Sequence, residues 1–511
     1  MSESKKDDFE DFNINIQYIS KGLTDENTLI TRCQSTIYLA TQCMISDFRV
    51  RMWSDRKMEK LLCALYDAPK YQSLGICTSM VMLILSQNIK NEDVDMEFLH
   101  LLVNLLKNEV IHKNELSNSQ SLTLKQEVRQ LCGKLQNQNQ AIHLNLDNLT
   151  IKELCMEVLL NLPSDCYSAW FKGILRECGI LEQIVEVVDM YSLHVSNNRV
   201  KSSYSIMNLL LRNLKLLGNV SKDAKNQQYL LKHKDGMLID SLIKICQVCD
   251  IEIPTSSFIN DDSPTTMLLK SLIVSLNILV CLTHDYGFEF SAQGTILTEK
   301  RLGFIDVCLR FLLQVPAHIP DEEKLNLIFL ELFLLTNLVE SNMYNRKILF
   351  EAKIQSCPDH FLLVSTNRRA VDALIELFFE HTKLANIKRN LSEVIVNKGE
   401  EMPSRQKWSQ LILEDAHSNM LHSLIAGHVG ILLGYIMKGC KEYEMYVCQR
   451  WHENNFKKII IILEKVFKFL DISSAVIDSG DIINHVSYTM TYFKKLNIAI
   501  TNAEMDPITS S

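Results

Sequence analysis

The sequence predicts an all-α fold, an irregular solenoid of HEAT- or armadillo-like helical repeats, and three observations carry that expectation. A leucine-rich run ending in Asn or Cys, then a polar break and a second apolar stretch, recurs along the chain. Such self-similarity marks stacked units, each burying its apolar face only against its neighbours. Glycine (16) and proline (9) are scarce among 511 residues, far below the roughly 12% of average chains, whereas an all-β chain needs many such turns. Hydrophobic content of 47% with 22% charge excludes disorder over most of the length.

Residues 1–11 read as a polar tail, 12–500 as the helical-repeat domain, and 501–511 as a second tail. Phe12 to about Ser86 carries three or four helices, with a turn at Ala68-Pro69 and a loose copy of the phrase from Leu39. The polar stretch Asn114–Ser121 breaks the pattern, a helix follows over Leu122–Gln136, and Asn137–Gln140 is a loop. Asp147–Val188 gives one complete repeat, bent at Pro163 and re-entering a helix at Gly179. Clear copies start at Leu159, Leu216, Leu279 and Leu334; their anchors at 161, 219, 281 and 337 lie 58, 62 and 56 residues apart. A regular unit has roughly 40–47 residues, so these repeats carry insertions. Within a copy, Asn near a helix end can bond orphan carbonyls. Trp170-Phe171 fills the space between layers, so that Trp170→Ala costs about 3–5 kcal/mol if that ring is core.

Ile251–Thr266 interrupts the array, with Pro254 and the turn-prone Asp261-Asp262-Ser263-Pro264. Val315-Pro316 and Ile319-Pro320 precede Asp321-Glu322-Glu323, an acidic first turn that complements the helix dipole. The polar stretch 385–407 reads as a mobile insertion, and two last helices are expected near Asp415–Met437 and Phe456–Leu470.

A net charge of −8 does not supply the basic surface that direct nucleic-acid binding needs. The pair Arg368-Arg369 is isolated and reads as a solvated helix start. MSESKKDDFEDF lacks the apolar core of a secretory signal. The longest apolar stretches, Met267–Leu282 and Leu325–Val339, are interrupted by Lys270, Asn277, Asn326, Glu331 and Asn337. They read as too short and too polar to span ~30 Å of hydrocarbon, and as central helices covered on both faces. Fifteen cysteines, among them Cys33, Cys43, Cys63 and Cys77, sit inside apolar segments as small hydrophobes, which implies a reducing compartment.

One constellation offers metal chemistry: Cys246-x-x-Cys249 with Cys281-x-x-His284, a permitted Cys3His zinc set. Both pairs lie in segments of helical apolar period and lack a glycine or aromatic knuckle, so two core-facing cysteines are the preferred reading. Glu414, His417, His422 and His428 share one helix but lack the spacing of H-E-x-x-H. No phosphate-binding glycine loop or nucleophile elbow occurs where a strand would present it. No catalytic, cofactor-binding or metal residue is therefore assigned, and no cofactor is expected.

Several phrases, taken in order, resemble the wings apart-like (WAPL) family, specifically its C-terminal domain. They are ITRCQSTIYLATQCMISDFRVRM (Ile30–Met52), LNLDNLTIKELCMEVLLNL through Ala169-Trp170-Phe171-Lys172, LLQVPAHIPDEEKL (Leu312–Leu325), LLTNLVESNMYNRKIL (Leu334–Leu349) and the closing helices, covering roughly Phe12 to Val476. The resemblance implies a nuclear, chromatin-associated, non-enzymatic domain that binds cohesin through its kleisin, ATPase and HEAT-repeat subunits and promotes its release from chromatin. Membrane and direct nucleic-acid partners are not implied. Longer members engage a HEAT-repeat cohesin regulator through Phe-Gly-Phe motifs; this chain has none, Tyr286-Gly287-Phe288 being the nearest string, which leaves that partner without its usual docking motif. Ile14-Asn15 stands where the family often has an acidic pair. The alternatives are a generic armadillo-like scaffold or adaptor, and a truncated paralogue antagonising cohesin release.

Overall fold

Helices follow one another with few breaks because the chain has little glycine or proline to stop them. The computed structural model describes residues 3–54, 57–87, 89–90, 94–107, 116–142, 144–198, 204–255, 263–283, 303–354, 368–397, 405–451, 453, 455–473 and 480–505; within helices, side chains are described except at 3–11, 54, 198, 386–397, 405–419, 471–473, 480–482 and 501–505. Among these residues there are 22 α-helices and one pair of two-residue strands, so the fold is all-α, built of helical repeats. The chain divides into two compact units, Met1–Tyr191 with Ser205–Leu238, and Ser192–Tyr204 with Ile239–Ser511.

In the first unit, Glu3–Gly22 packs on Leu29–Cys43, which packs on Gln72–Leu85, and that helix in turn meets Asn118–Asn137 and Ile151–Asn161. Gln72–Leu85 is buried at every position from Leu74 to Leu85, which is why its sequence is apolar all round. The helix that begins at Glu3 includes part of the stretch read as a tail. Arg32 anchors the first layers: its guanidinium donates to both Asp67 oxygens at 2.9 and 2.6 Å and to the Ala64 carbonyl at 3.1 Å. Ile151–Asn161 starts in a capping box, Thr150 and Glu153 each accepting the other's backbone N–H.

The repeated phrase resolves into a long helix, a nine-residue helix and a second long helix. The first copy is Ile151–Asn161, Ala169–Glu177 and Ile180–Asn198. The second is Tyr204–Val220, Ala224–Lys232 and Met237–Glu252. In the last copy the short helix is Met343–Glu351; the continuation of the Leu279 copy lies outside the described residues. Gly179, at φ +70°, makes the left-handed turn between the short and long helices, where a Cβ would be strained.

Asparagine serves two purposes in the repeated phrase, in both units. Asn161 and Asn337 reach back a layer, Asn161 to the Ser86 hydroxyl at 2.9 Å and Asn337 to the Val280 carbonyl at 3.2 Å. Asn226 and Asn345, each on the following short helix, donate to the carbonyls of Val220 (3.1 Å) and Leu338 (2.7 Å) and so satisfy ends left open by the long helix. Trp170 differs from expectation. Phe171 is fully buried, but Trp170 is only half-buried, its ring lying against His100 at 4.4 Å. The cost expected of a core ring therefore belongs to Phe171.

In the second unit Pro264–Thr283 packs on Asp321–Glu340, which packs on Phe304–Leu313 and on Arg405–Met437. Arg405–Met437 is the hub: Ala370–Asn397, Lys441–Arg450, Lys457–Ser473 and Gly480–Met505 all lie against it. A Cβ at Gly427 would come within 2.8 Å of Val466, and one at Gly430 within 2.9 Å of Ile459, so these positions let the Lys457–Ser473 helix approach closely. The stretch 385–407 is helical where described, to Asn397 and again from Arg405. Two closing helices, Lys441–Arg450 and Gly480–Met505, add to those expected. Arg368-Arg369 is not a helix start but a short strand, antiparallel to Lys353–Ile354.

Pro264–Thr283 and Met420–Met437 are, contrary to expectation for the former, long and apolar enough to cross a membrane. However, 61% and 78% of their windows are buried inside the protein, as core helices are. Cys33, Cys43 and Cys77 are buried, whereas Cys63 is exposed, because it lies on the outer side of the short Lys57–Ala64 helix.

Candidate functional site

Residues singled out for metal chemistry take separate places. Cys246 and Cys249 are fully buried, and Cys249 Sγ faces the Leu268 carbonyl at 3.7 Å. Cys281 is half-buried, its thiol toward Asn277, and His284 lies outside the described residues. Among the described residues no three His, Cys, Asp or Glu side chains converge as metal ligands would. Burial pushes the Cys246 and Cys249 thiols well up, which disfavours the thiolate that would bind metal or attack an electrophile.

On Arg405–Met437, His422 and His428 serve packing. His428 is buried against the rings of Phe329 and Phe333, at 5.8 and 4.6 Å between centroids, and its Nδ1–H donates to the Leu424 carbonyl at 2.8 Å. Burial lowers its pKa to about 4. His422 Nδ1 lies 2.9 Å from Nδ1 of His381, which burial, then the neighbouring imidazole, also lowers to about 4. The Glu414 and His417 side chains lie outside those described.

These shifts set a pH dependence. Between the unfolded value near 6.5 and about 4, the unfolded chain takes up protons that the folded chain refuses, so stability falls as pH falls through that window. At pH 5 each histidine should cost about 2 kcal/mol relative to pH 7. His428→Phe, which keeps a ring at that position, should remove its share. Urea denaturation of both forms at pH 7 and 5 measures the difference; equal losses in the two proteins would refute the assignment.

The first unit carries an open groove of about 680 Å³ between Ile151–Asn161, Ile180–Asn198 and Tyr204–Val220. Met156, Leu160, Val187 and Leu209 are among its apolar lining residues, and Lys152, Glu153, Gln183 and Glu186 among its polar ones. The carboxylates are engaged: Glu157 with Arg212 at 2.7 Å, Glu186 with Lys234 at 2.5 Å, and Glu153 in the helix cap. Apolar lining beside paired charges suits contact with another polypeptide.

In the second unit, one cluster has the residue types of a catalytic site but a structural geometry. The Tyr435 hydroxyl lies 2.6 Å from His485 Nδ1 and 3.2 Å from Glu340. Burial raises the Tyr435 phenol, the wrong direction for a nucleophile or base at neutral pH. The trio ties together Asp321–Glu340, Arg405–Met437 and Gly480–Met505. None of these contacts was legible in the sequence, because their members lie 50 and 95 residues apart.

Comparison with known proteins fits a chain of this architecture. The family model described as "Wings apart-like protein regulation of heterochromatin" matches residues 8–345. The chain is 29% identical to Protein wings apart-like of Drosophila melanogaster, over 92% of this chain and 28% of that protein. It is 27% identical to the Homo sapiens wings apart-like protein homolog, over 92% of this chain and 44% of that protein. With the Caenorhabditis elegans wings apart-like protein homolog 1 it shares 22% identity, over 96% of this chain and 69% of that protein. The chain thus spans less than half the length of the fly and human relatives. Among solved structures, Uso1-1 is similar at a TM-score of 0.42 and 12% identity, covering 89% of this chain and 76% of that one.

Proposed function

Because the chain belongs to the wings apart-like family, we propose that it is a non-enzymatic regulator of sister-chromatid cohesion that binds cohesin and promotes its release from chromatin. The observation that carries this reading is the family match over residues 8–345, which includes the whole helical wall of the groove as far as Asn213. The physical arrangement supports it. The outer faces of the stacked helices offer a recognition surface, and ATP hydrolysis would belong to the partner. On this reading the protein works in the nucleus, on the kleisin, ATPase and HEAT-repeat subunits of cohesin.

Two measurements test it. Tagged cohesin subunits should co-precipitate the chain from nuclear extract; recovery of none of them with the chain intact would overturn binding. Depleting the protein from cells should raise the amount of chromatin-bound cohesin. A fall instead would overturn release and favour an antagonist.

A further inference from the structure

The groove of the first unit has a regular lining. Ile151–Asn161 contributes positions 153, 156, 157 and 160, and Ile180–Asn198 contributes 183, 186, 187 and 190. Both sets follow the i, i+3, i+4, i+7 spacing of one helix face and extend over two turns, roughly 10 Å. Met156, Leu160, Val187 and Leu209 are half-buried there, and Met190 is 54% accessible. Charges beside them are matched within the chain. Arg212 holds Glu157, Lys234 holds Glu186 with Lys152 adding its attraction, and Glu153 closes the helix cap. Gln183 Oε1 has no donor among the described residues, but it is closed to solvent.

We propose that this groove takes a short amphipathic helix of a partner polypeptide, which enters by an uncharged apolar face. A helix laid along two helical stripes sets its own i, i+3, i+4 and i+7 side chains against them. An extended segment would bring unpaired N–H and C=O groups onto apolar lining, whereas a helix satisfies its own backbone. A charged side chain on the entering face would find each groove carboxylate already matched, and would give up its hydration for no partner. Met156 and Met190 can repack around side chains of differing shape. The proposal rests on the reading of this chain as a binding protein, not on cohesin as the partner. A chain that recovers no cohesin subunit yet binds the peptides below would leave the groove standing.

The test uses the full chain and a fluorescein-labelled pool of hydrocarbon-stapled helical peptides, with Leu, Met, Ile and Phe mixed at i, i+3, i+4 and i+7. Matched pools are unstapled with a central proline, or stapled with Asp or Lys at i+4. Fluorescence anisotropy should show the apolar helical pool binding about tenfold tighter than any of these, as the loss of one buried apolar side chain implies. Its binding should vary little with salt. Met190→Glu, at an exposed position, should remove that advantage and Met190→Leu should keep it, with thermal melts to confirm folding. Equal binding of the proline pool or of a charged pool would overturn the proposal, as would an unchanged advantage in Met190→Glu. Self-association of the free chain that is lost in Met190→Glu would assign the groove to a second copy and overturn it too.

Discussion

Replacing Glu331 with methionine should stabilise the protein by about 3 kcal/mol at pH 8. Glu331 lies on the Asp321–Glu340 helix, is wholly inaccessible to solvent, and has no nitrogen or oxygen donor on either carboxylate oxygen, the Cys308 thiol being the one polar group that reaches it. Burial pushes its pKa well above the usual carboxylate value, against the smaller opposing pull of the Cys308 thiol. Its charge, were it present, would be felt by Cys308 and Cys246, both buried beside it. A carboxyl with a raised folded pKa favours the folded state most below the unfolded value of 4.5; that contribution is lost as pH rises toward the folded value. Wild-type stability should therefore decline across this range relative to the variant, and the two should draw together at pH 4.5. Urea denaturation at pH 4.5 and 8 measures this. A variant less stable than wild type at pH 8 would mean that Glu331 has a partner worth more than its desolvation.

Arg346→Ala should destabilise the second unit by about 4 kcal/mol. Arg346 is buried, and its guanidinium donates to three carbonyls at the ends of two helices: Val339 at 2.8 Å, Glu340 at 2.8 Å and Lys438 at 2.9 Å. Alanine strands all three acceptors, each at a terminus whose last carbonyls have no partner within the helix, and removes the cation that faces two helix dipoles. Arg346→Lys, with charge but no fork, should recover part of the loss. Thermal and urea melts of the three proteins decide the matter, and a loss below about 1 kcal/mol in Arg346→Ala would show that solvent satisfies those carbonyls instead.

Much of the architecture could be read directly because helix signals are local. The acidic turn after Pro320, the glycine before Ile180 and the repeated Asn phrases each stand next to the element they shape. The Lys441–Arg450 helix was missed for a physical reason. Val447 is its one buried side chain, so its sequence lacks the apolar period of a core helix. Trp170 was misplaced because its neighbour Phe171 takes the inward position, and adjacent residues on a helix point about 100° apart. Contacts that define the candidate sites, such as Tyr435 with His485, join segments 50 residues apart. No pattern along the chain encodes such pairings, since they depend on which layers stack.

The glycines at 427 and 430 carry a consequence for how the chain melts. Each weakens an isolated helix by about 1 kcal/mol relative to alanine, so the hub owes its form to the helices clasped around it. Repeat proteins ordinarily unravel from their ends, one unit at a time. Here the last several helices share a single spine that none of them can leave without loosening the rest, and amide exchange along that spine should report one concerted opening instead of a gradient.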